Sequence, residues 1–245
     1  MLTSKELKQG LLDIGVREGM ILEVHSSLKS FGYVMGGAGT VIQTIKEVVT
    51  DSGSIFMPAL RLSKEQELTD WDKEMGITVK IKVLESDCEH SAMGAIADTF
   101  RKMPDTYTGE GVFRISGWGK HGKEAVSGGL DYALEHGGKA LLLGVDIYKL
   151  TAMHYVENLL PNEIKSISAP NEIVNRMYPS DQWVVEMEQL PVKAWYTIQQ
   201  MAYEKGLIKD GYIGKCKVMF FDLWDIVSIY ERELKNDPFK LYGIQ

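Results

Sequence analysis

In the stretch GVDIYKLTAMHYVE (144–157), Thr151, His154 and Glu157 recur at every third residue, so on a helix their side chains share one surface. Met153 and Val156 flank the histidine at positions that turn inward, an arrangement that would partly desolvate the imidazole and keep it neutral. Glu157 or Asp146 could orient the second ring nitrogen, which is what a general base near neutral pH needs. A structural histidine satisfied by a neighbouring carboxylate fits the same pattern. Asp146 follows the apolar run GKALLLGV (138–145), just past the strand end where open α/β sheets place ligands.

A second stretch, HSSLKSFGYVMGG (25–37), leaves the apolar run MILEV (20–24) and closes on a glycine pair before the next helical pattern. A strand-to-helix connection needs only about 2–6 residues. This one offers the hydroxyls of Ser26 and Ser27, the charge of Lys29, and backbone N–H groups freed by Gly36 and Gly37. Those groups suit a phosphate or pyrophosphate at a helix start. GxGxxG and GxxxxGK[ST] are both absent, so a plain glycine-rich turn fits as well. His25, at the root of the loop, reads as a cofactor contact or as a support one layer behind it.

The remaining reactive side chains are less persuasive. His90 or Ser91 reads as a cap for the helix that follows, and His121 and His136 sit in polar surroundings expected at the surface. Cys88 lies between Asp87 and Glu89, whose charges oppose a thiolate. HExxH, CxxC and GxSxG are absent, and no metal site is expected.

These residues must be positioned by elements legible in the pattern. Thr3 and Glu6 have capping-box spacing ahead of Leu7, Leu11 and Ile14, which predicts a helix over about 4–15. MILEV, SIFMPAL and GKALLLGV read as buried strands. Val41, Ile42, Ile45 and Val48 mark a helix between the first two. The charged segment 61–87 reads as an excursion in which Asp70, Asp72 and Glu74 are solvated or meet a cationic acceptor. SAMGAIADTFRKMP, TAMHYVENLLP and KAWYTIQQMAYEKG read as helices, and KSISA, QWVVEME and CKVMFF as strands. A final helix from about Asp222 carries Leu223, Ile226, Val227, Tyr230 and Leu234. The result is α/β: a single domain over 1–245 with a mixed, largely central β-sheet flanked by helices.

With 44% hydrophobic and 25% charged residues, the 245-residue chain can bury a large core. A net charge of −7 argues against nucleic acid and suits a cationic partner. Two distant cysteines and an amphipathic first helix predict a reducing, cytoplasmic setting, and no apolar run approaches a membrane span. A monomer or homodimer is expected.

Taken in order, VHSSLKSFGYVMGGAGTVIQTIKEVV, GSIFMPAL, SAMGAIADTFRKMP, WGKH, ALLLGVDIYKLTAMHYVE and GKCKVMFFDLWDIVSIYERELKNDPFKL resemble the aminoglycoside 3-N-acetyltransferase family, the antibiotic N-acetyltransferases. The resemblance implies an acetyl-CoA-dependent acyltransferase of a mixed α/β fold distinct from the GNAT enzymes. Ser26, Ser27 and Leu28, and on to Val34, Gly36 and Gly37, would hold the pantetheine and pyrophosphate arm of CoA. His154 would be the general base, supported by Glu157 and less directly by Asp146. The sequence departs from the family pattern at FRISGWGKH (113–121), which is short and lacks a His-Pro pair, and at YKLTAMH, with Leu150 before Thr151. Both departures fall where the resemblance puts the acceptor. The expected acceptor is an aminoglycoside or a related amino sugar, with two alternatives: a nucleotide-linked or polysaccharide-precursor amino sugar, or CoA binding without acceptor chemistry.

Overall fold

The computed structural model describes residues 1–128, 131–188, 190 and 193–244. Helix α1 (Ser4–Ile14) opens on the reciprocal Thr3–Glu6 capping box and stops at Gly15, whose φ of 117° ends the turn. It leads into β1 (Ile21–Ser26), a 3₁₀ turn (Leu28–Phe31), α2 (Gly37–Val49) and β2 (Ser54–Pro58). Next come β3 (Leu62–Glu65), α3 (Asp70–Glu74), β4 (Val79–Val83), α4 (Ala95–Phe100), β5 (Tyr107–Thr108) and β6 (Ile115–Gly119). Helices α5 (Gly122–Gly128) and α6 (Asp131–Glu135) precede β7 (Lys139–Leu143). Two 3₁₀ segments, Ile147–Lys149 and Thr151–Leu159, lead to α7 (Asn162–Ser168), α8 (Glu172–Met177) and β8 (Trp183–Glu186). The chain closes with α9 (Lys193–Glu204), β9 (Lys209–Ile213), β10 (Cys216–Asp222), α10 (Leu223–Asn236) and α11 (Pro238–Tyr242).

Seven strands form the central sheet in the order β5-β6-β2-β1-β7-β10-β9. Only β2, β1 and β7 run parallel, and the outer strands are antiparallel. The parallel trio is buried on both faces, which is why its strands read as nearly unbroken apolar runs. Leu22, Val24, Leu141 and Leu143 turn to one face, where α1, α2 and α4 cover them. Phe56, Ala140, Leu142 and Phe221 turn to the other, beneath the Thr151–Leu159 segment, α6, α9 and α10. The fold is thus mixed α/β with a central sheet between helical layers, as the sequence predicts. Among the described residues, no helix is long and apolar enough to cross a membrane.

Three expectations are corrected. KSIS is the second half of helix α7 and Ala169 its C-cap, because Leu160 and Ile164 are buried at a helical spacing that outweighs a short alternation. TAMHYVENL is a nine-residue 3₁₀ helix. The charged segment 61–87 is ordered: β3 and β4 join β8 in a second, three-stranded sheet, with α3 packed beside it. There Asp72 is fully buried while Asp70 and Glu74 face solvent.

Asp72 organises this second sheet. Its carboxylate accepts from Lys80 Nζ, from Tyr178 Oη at 2.6 Å and from the Thr69 backbone N–H at 2.8 Å. Burial alone would raise the Asp72 carboxyl, but those donors outweigh it and hold the group well below the usual carboxylate range. A depressed carboxyl stabilises the fold fully above its unfolded value of about 3.9 and loses that contribution as pH falls toward the folded value. Asp72→Asn, which leaves the buried Lys80 ammonium without a counter-charge, is expected to cost about 3–5 kcal/mol in a urea titration at pH 7. The gap between the two proteins should narrow on acidification below about pH 4.

Candidate functional site

The adjacent parallel strands β1 and β7 send their following segments to opposite faces of the sheet. The loop after β1 runs into α2 on one side, and the residues after β7 run into the Thr151–Leu159 helix on the other. The carboxyl ends of two strands that diverge in this way are where open α/β sheets place their ligand crevice. Both sequence-predicted stretches meet there.

Three residues make one turn of a 3₁₀ helix, so Thr151, His154 and Glu157 stack in a single line along its surface. Their spacing, read from the sequence as a shared helix face, is therefore exact alignment. His154 Nδ1 lies 2.7 Å from Glu157 Oε2, with side-chain exposures of 57% and 34%. Met153 and Val156 are buried as expected, yet the imidazole is open to solvent, which corrects the expected desolvation. The edge of its ring meets buried Trp195, with centroids 5.2 Å apart and planes at 67°. Behind Trp195, the hydroxyls of Tyr230 and Tyr242 bond to each other. Burial foremost, then the paired tyrosine and the Glu157 charge, raise the Tyr230 phenol and keep it neutral.

Asp146 does not join this pair. Its Oδ1 caps the short 3₁₀ segment by accepting from the Tyr148 N–H at 3.1 Å, and its Oδ2 accepts from Tyr196 Oη at 3.0 Å. Orientation of His154 thus falls to Glu157.

Beneath the His154 helix lies a pair of which the sequence pointed to only one member. His25 Nε2 is 2.6 Å from Glu23 Oε1, the carboxylate having no exposed surface and the imidazole 6%. Period-two alternation places both on the face of β1 opposite Leu22 and Val24. The missed signal was a lone carboxylate inside an apolar run, two residues before a histidine.

The opening loop is anchored at both ends. The Ser27 N–H donates to Leu143 O at 2.8 Å, and Ser30 Oγ donates to Ser27 O at 2.7 Å and contacts Cys216 Sγ at 3.0 Å. Burial pushes the Cys216 thiol up to about 11 against the opposing Ser30 bond, so this cysteine is an inert packing group. Further on, Val34 is buried, and the chain on either side of it pairs with Leu2. Leu28 also packs against the core, whereas Lys29 and Gly36 are exposed and Ser26, Ser27 and Gly37 are half-buried. Gly36 and Gly37 hold φ of 79° and 61°, and a Cβ on Gly37 would meet nothing within 4 Å. No side chain caps α2, so its first N–H groups and the positive end of its dipole suit a phosphate-bearing ligand.

The short segment 113–121 divides between the two edges of the sheet. Arg114 lies at the carboxyl end of β2, where its carbonyl accepts from Ala59 N–H at 2.9 Å, and Phe113 beside it is exposed. Trp118 pairs with Ile55 toward the other end of β2, bonded to Asp105 at 2.8 Å and stacked under Lys46. Only the start of the segment therefore shares an edge with the carboxyl ends of β1 and β7. His136 is exposed, but His121 is partly buried, with Nδ1 2.9 Å from Tyr132 Oη. His90 is exposed and caps nothing; Gly94 takes the N-cap position of α4. Among the described residues, no group of three or more His, Cys, Asp or Glu side chains is placed to hold a metal ion.

Known proteins are similar to this chain in sequence and in architecture. The family model described as aminoglycoside 3-N-acetyltransferase matches residues 24–235. The SPbeta prophage-derived aminoglycoside N(3')-acetyltransferase-like protein YokD of Bacillus subtilis is 27% identical over 279 aligned positions, covering 97% of this chain and 94% of YokD. The crystal structure of a variant of aminoglycoside acetyltransferase AAC(3)-IVa in complex with a gentamicin has a TM-score of 0.72 at 21% identity, over 97% of this chain and 90% of that one. The binary complex of AAC-IIIb with CoASH has a TM-score of 0.69 at 18% identity, over 96% of each chain.

The seating of the loop depends on Gly144, which has φ of 71° and whose added Cβ would lie 1.8 Å from Ser30 Oγ. Gly144→Ala is expected to lower stability by about 1–3 kcal/mol through overpacking. Adding Ser30→Gly should recover part of that loss, and a double-mutant cycle in urea measures the coupling.

Proposed function

This chain belongs to the aminoglycoside 3-N-acetyltransferase family, a family of acyltransferases, and from that premise we propose that it transfers the acetyl group of acetyl-CoA directly to an amino group of an aminoglycoside or related amino sugar. The observation that carries the reading is the exposed His154 held at Nδ1 by Glu157, on the segment that leaves β7 beside the strand end from which the HSSLKSFGYVMGG loop departs. An Nδ1–H donated to the carboxylate leaves Nε2 as the basic nitrogen. Nε2 takes a proton from the acceptor ammonium, and the freed amine attacks the thioester carbonyl. As the new C–N bond forms and the C–S bond breaks, the nitrogen gives up its second proton, so that one of the two protons passes to the departing CoA thiolate and the other to solvent. Glu157 offsets the charge of the transient imidazolium. A covalent enzyme intermediate is not required.

The donor arm is assigned to the loop. Ser26, Ser27, Gly36 and Gly37, with Lys29 and the start of α2, supply hydroxyls, open backbone and positive potential for a pantetheine and its pyrophosphate. A loop N–H is assigned to the acyl oxygen of the tetrahedral transition state. Leu28 and Val34 act from behind, as the apolar footing of the loop. The CoASH complex of AAC-IIIb supports the donor, and the gentamicin complex of AAC(3)-IVa supports a cationic sugar as acceptor. The net charge of −7 favours such a cation.

His154→Ala is expected to cut kcat by about 100-fold or more while leaving acetyl-CoA affinity, measured by calorimetry, nearly intact. Undiminished turnover would remove His154 from the mechanism. The acceptor is identified by thiol release from acetyl-CoA across aminoglycosides and amino-sugar nucleotides side by side. Tight CoA binding with no transfer to any amine would refute the enzymatic reading.

A further inference from the structure

We propose that Glu23 and His25 are positioning residues, a buried pair on β1 that caps the Thr151–Leu159 helix from the sheet and so fixes where His154 and Glu157 stand. The proposal rests on the reading of His154 as general base. A helix begins with backbone N–H groups that have no partner of their own, and Leu150, at the N-cap of this one, supplies no side-chain acceptor. The sheet below supplies the acceptor instead. The Ala152 N–H donates to Glu23 Oε1 at 3.2 Å, and the Thr151 N–H approaches His25 Nε2 at 3.3 Å. The 2.6 Å contact places one proton between Nε2 and Oε1 and so occupies the one in-plane site of Nε2, which leaves Glu23 as the acceptor and His25 as the group that holds it in place.

This pair is costly where it stands. Glu23 has no exposed surface, and its second oxygen, Oε2, has no hydrogen-bond partner. Leu22 and Val24 on either side are core residues, and a leucine at position 23 would suit the strand better. A buried polar group that costs stability is well placed to confer geometry instead. What it would set here is the phase of an unusually long 3₁₀ run, since such runs seldom exceed about 3–4 residues. One turn, about 6 Å, separates Thr151 from His154 on the same line, so a shift at the capped end passes directly to the base. Displacements of about 1 Å at a reacting group can cost about 100-fold in rate.

The test uses Glu23→Leu and Glu23→Gln, assayed by thiol release from acetyl-CoA with the amine that gives the highest turnover in the panel above. Glu23→Leu is expected to stay folded, to lose about 10- to 100-fold in kcat, and to keep the KM for acetyl-CoA within about threefold. Glu23→Gln, which keeps an acceptor for Ala152, is expected to lose about tenfold at most. Combined with His154→Ala, Glu23→Leu should add no further loss. In the free protein, the His154 ring signals in NMR should move in Glu23→Leu, a readout that needs no acceptor. Parental kcat with unmoved ring signals, a matching rise in the KM for acetyl-CoA, or an additive loss in the double variant would each overturn the proposal. Should Glu23→Leu fail to fold, parental kcat and unmoved ring signals in Glu23→Gln would overturn it. Full turnover in His154→Ala would instead defeat the reading beneath it. Loss there with none in Glu23→Leu defeats only the positioning role.

Discussion

The parallel register of β1 on β7, which sets Leu22 to Ser26 against Lys139 to Leu143, is the constraint from which the rest of the site follows. It brings the two strand ends together, and the chain leaves each on opposite sides of the sheet. The serine loop and the histidine helix, more than a hundred residues apart in sequence, therefore start from neighbouring strand ends. The same register turns Glu23 and His25 toward the underside of that helix. Hydrogen bonds from Ser27 and Ala152 then fasten one segment to β7 and the other to β1. The serine loop and the proposed base are thus tied to two rigid strands, with few degrees of freedom between them.

Among the charges the protein buries, two are handled differently. Asp72 is saturated by Lys80, Tyr178 and Thr69, so the second sheet has an ionic centre in which both Asp72 oxygens are engaged. Glu23 has an imidazole and a backbone N–H on one oxygen and nothing on the other. The first arrangement is what a small sheet with few apolar residues needs to hold together. The second lies under an extensive core that does not need it for cohesion, which agrees with a role in placement.

Local patterns were legible where they were sufficient. The apolar runs of β1, β2 and β7, the capping box of α1 and the helical stripe of α10 all form the elements their spacing predicts. His154 and Glu157 pair as their three-residue step suggests. What escaped depends on partners remote in sequence. β4 reads as charged and weak because its apolar positions find cover only when β8, about a hundred residues later, lies alongside. Glu23 looks like an ordinary strand residue until Ala152 arrives above it. Asp146 was placed correctly at a strand end, but its preference for Tyr196 over His154 is a matter of side-chain reach that spacing does not carry.

The helix type of residues 151–159 has a corollary. An α-helix advances about 1.5 Å and 100° per residue, against about 2.0 Å and 120° for the 3₁₀ form. Conversion of this segment would shorten it by about 4 Å and swing Glu157 about 60° out of line with His154. Substitutions elsewhere in the segment, merely by favouring one helix over the other, would then part His154 from Glu157 without altering either residue.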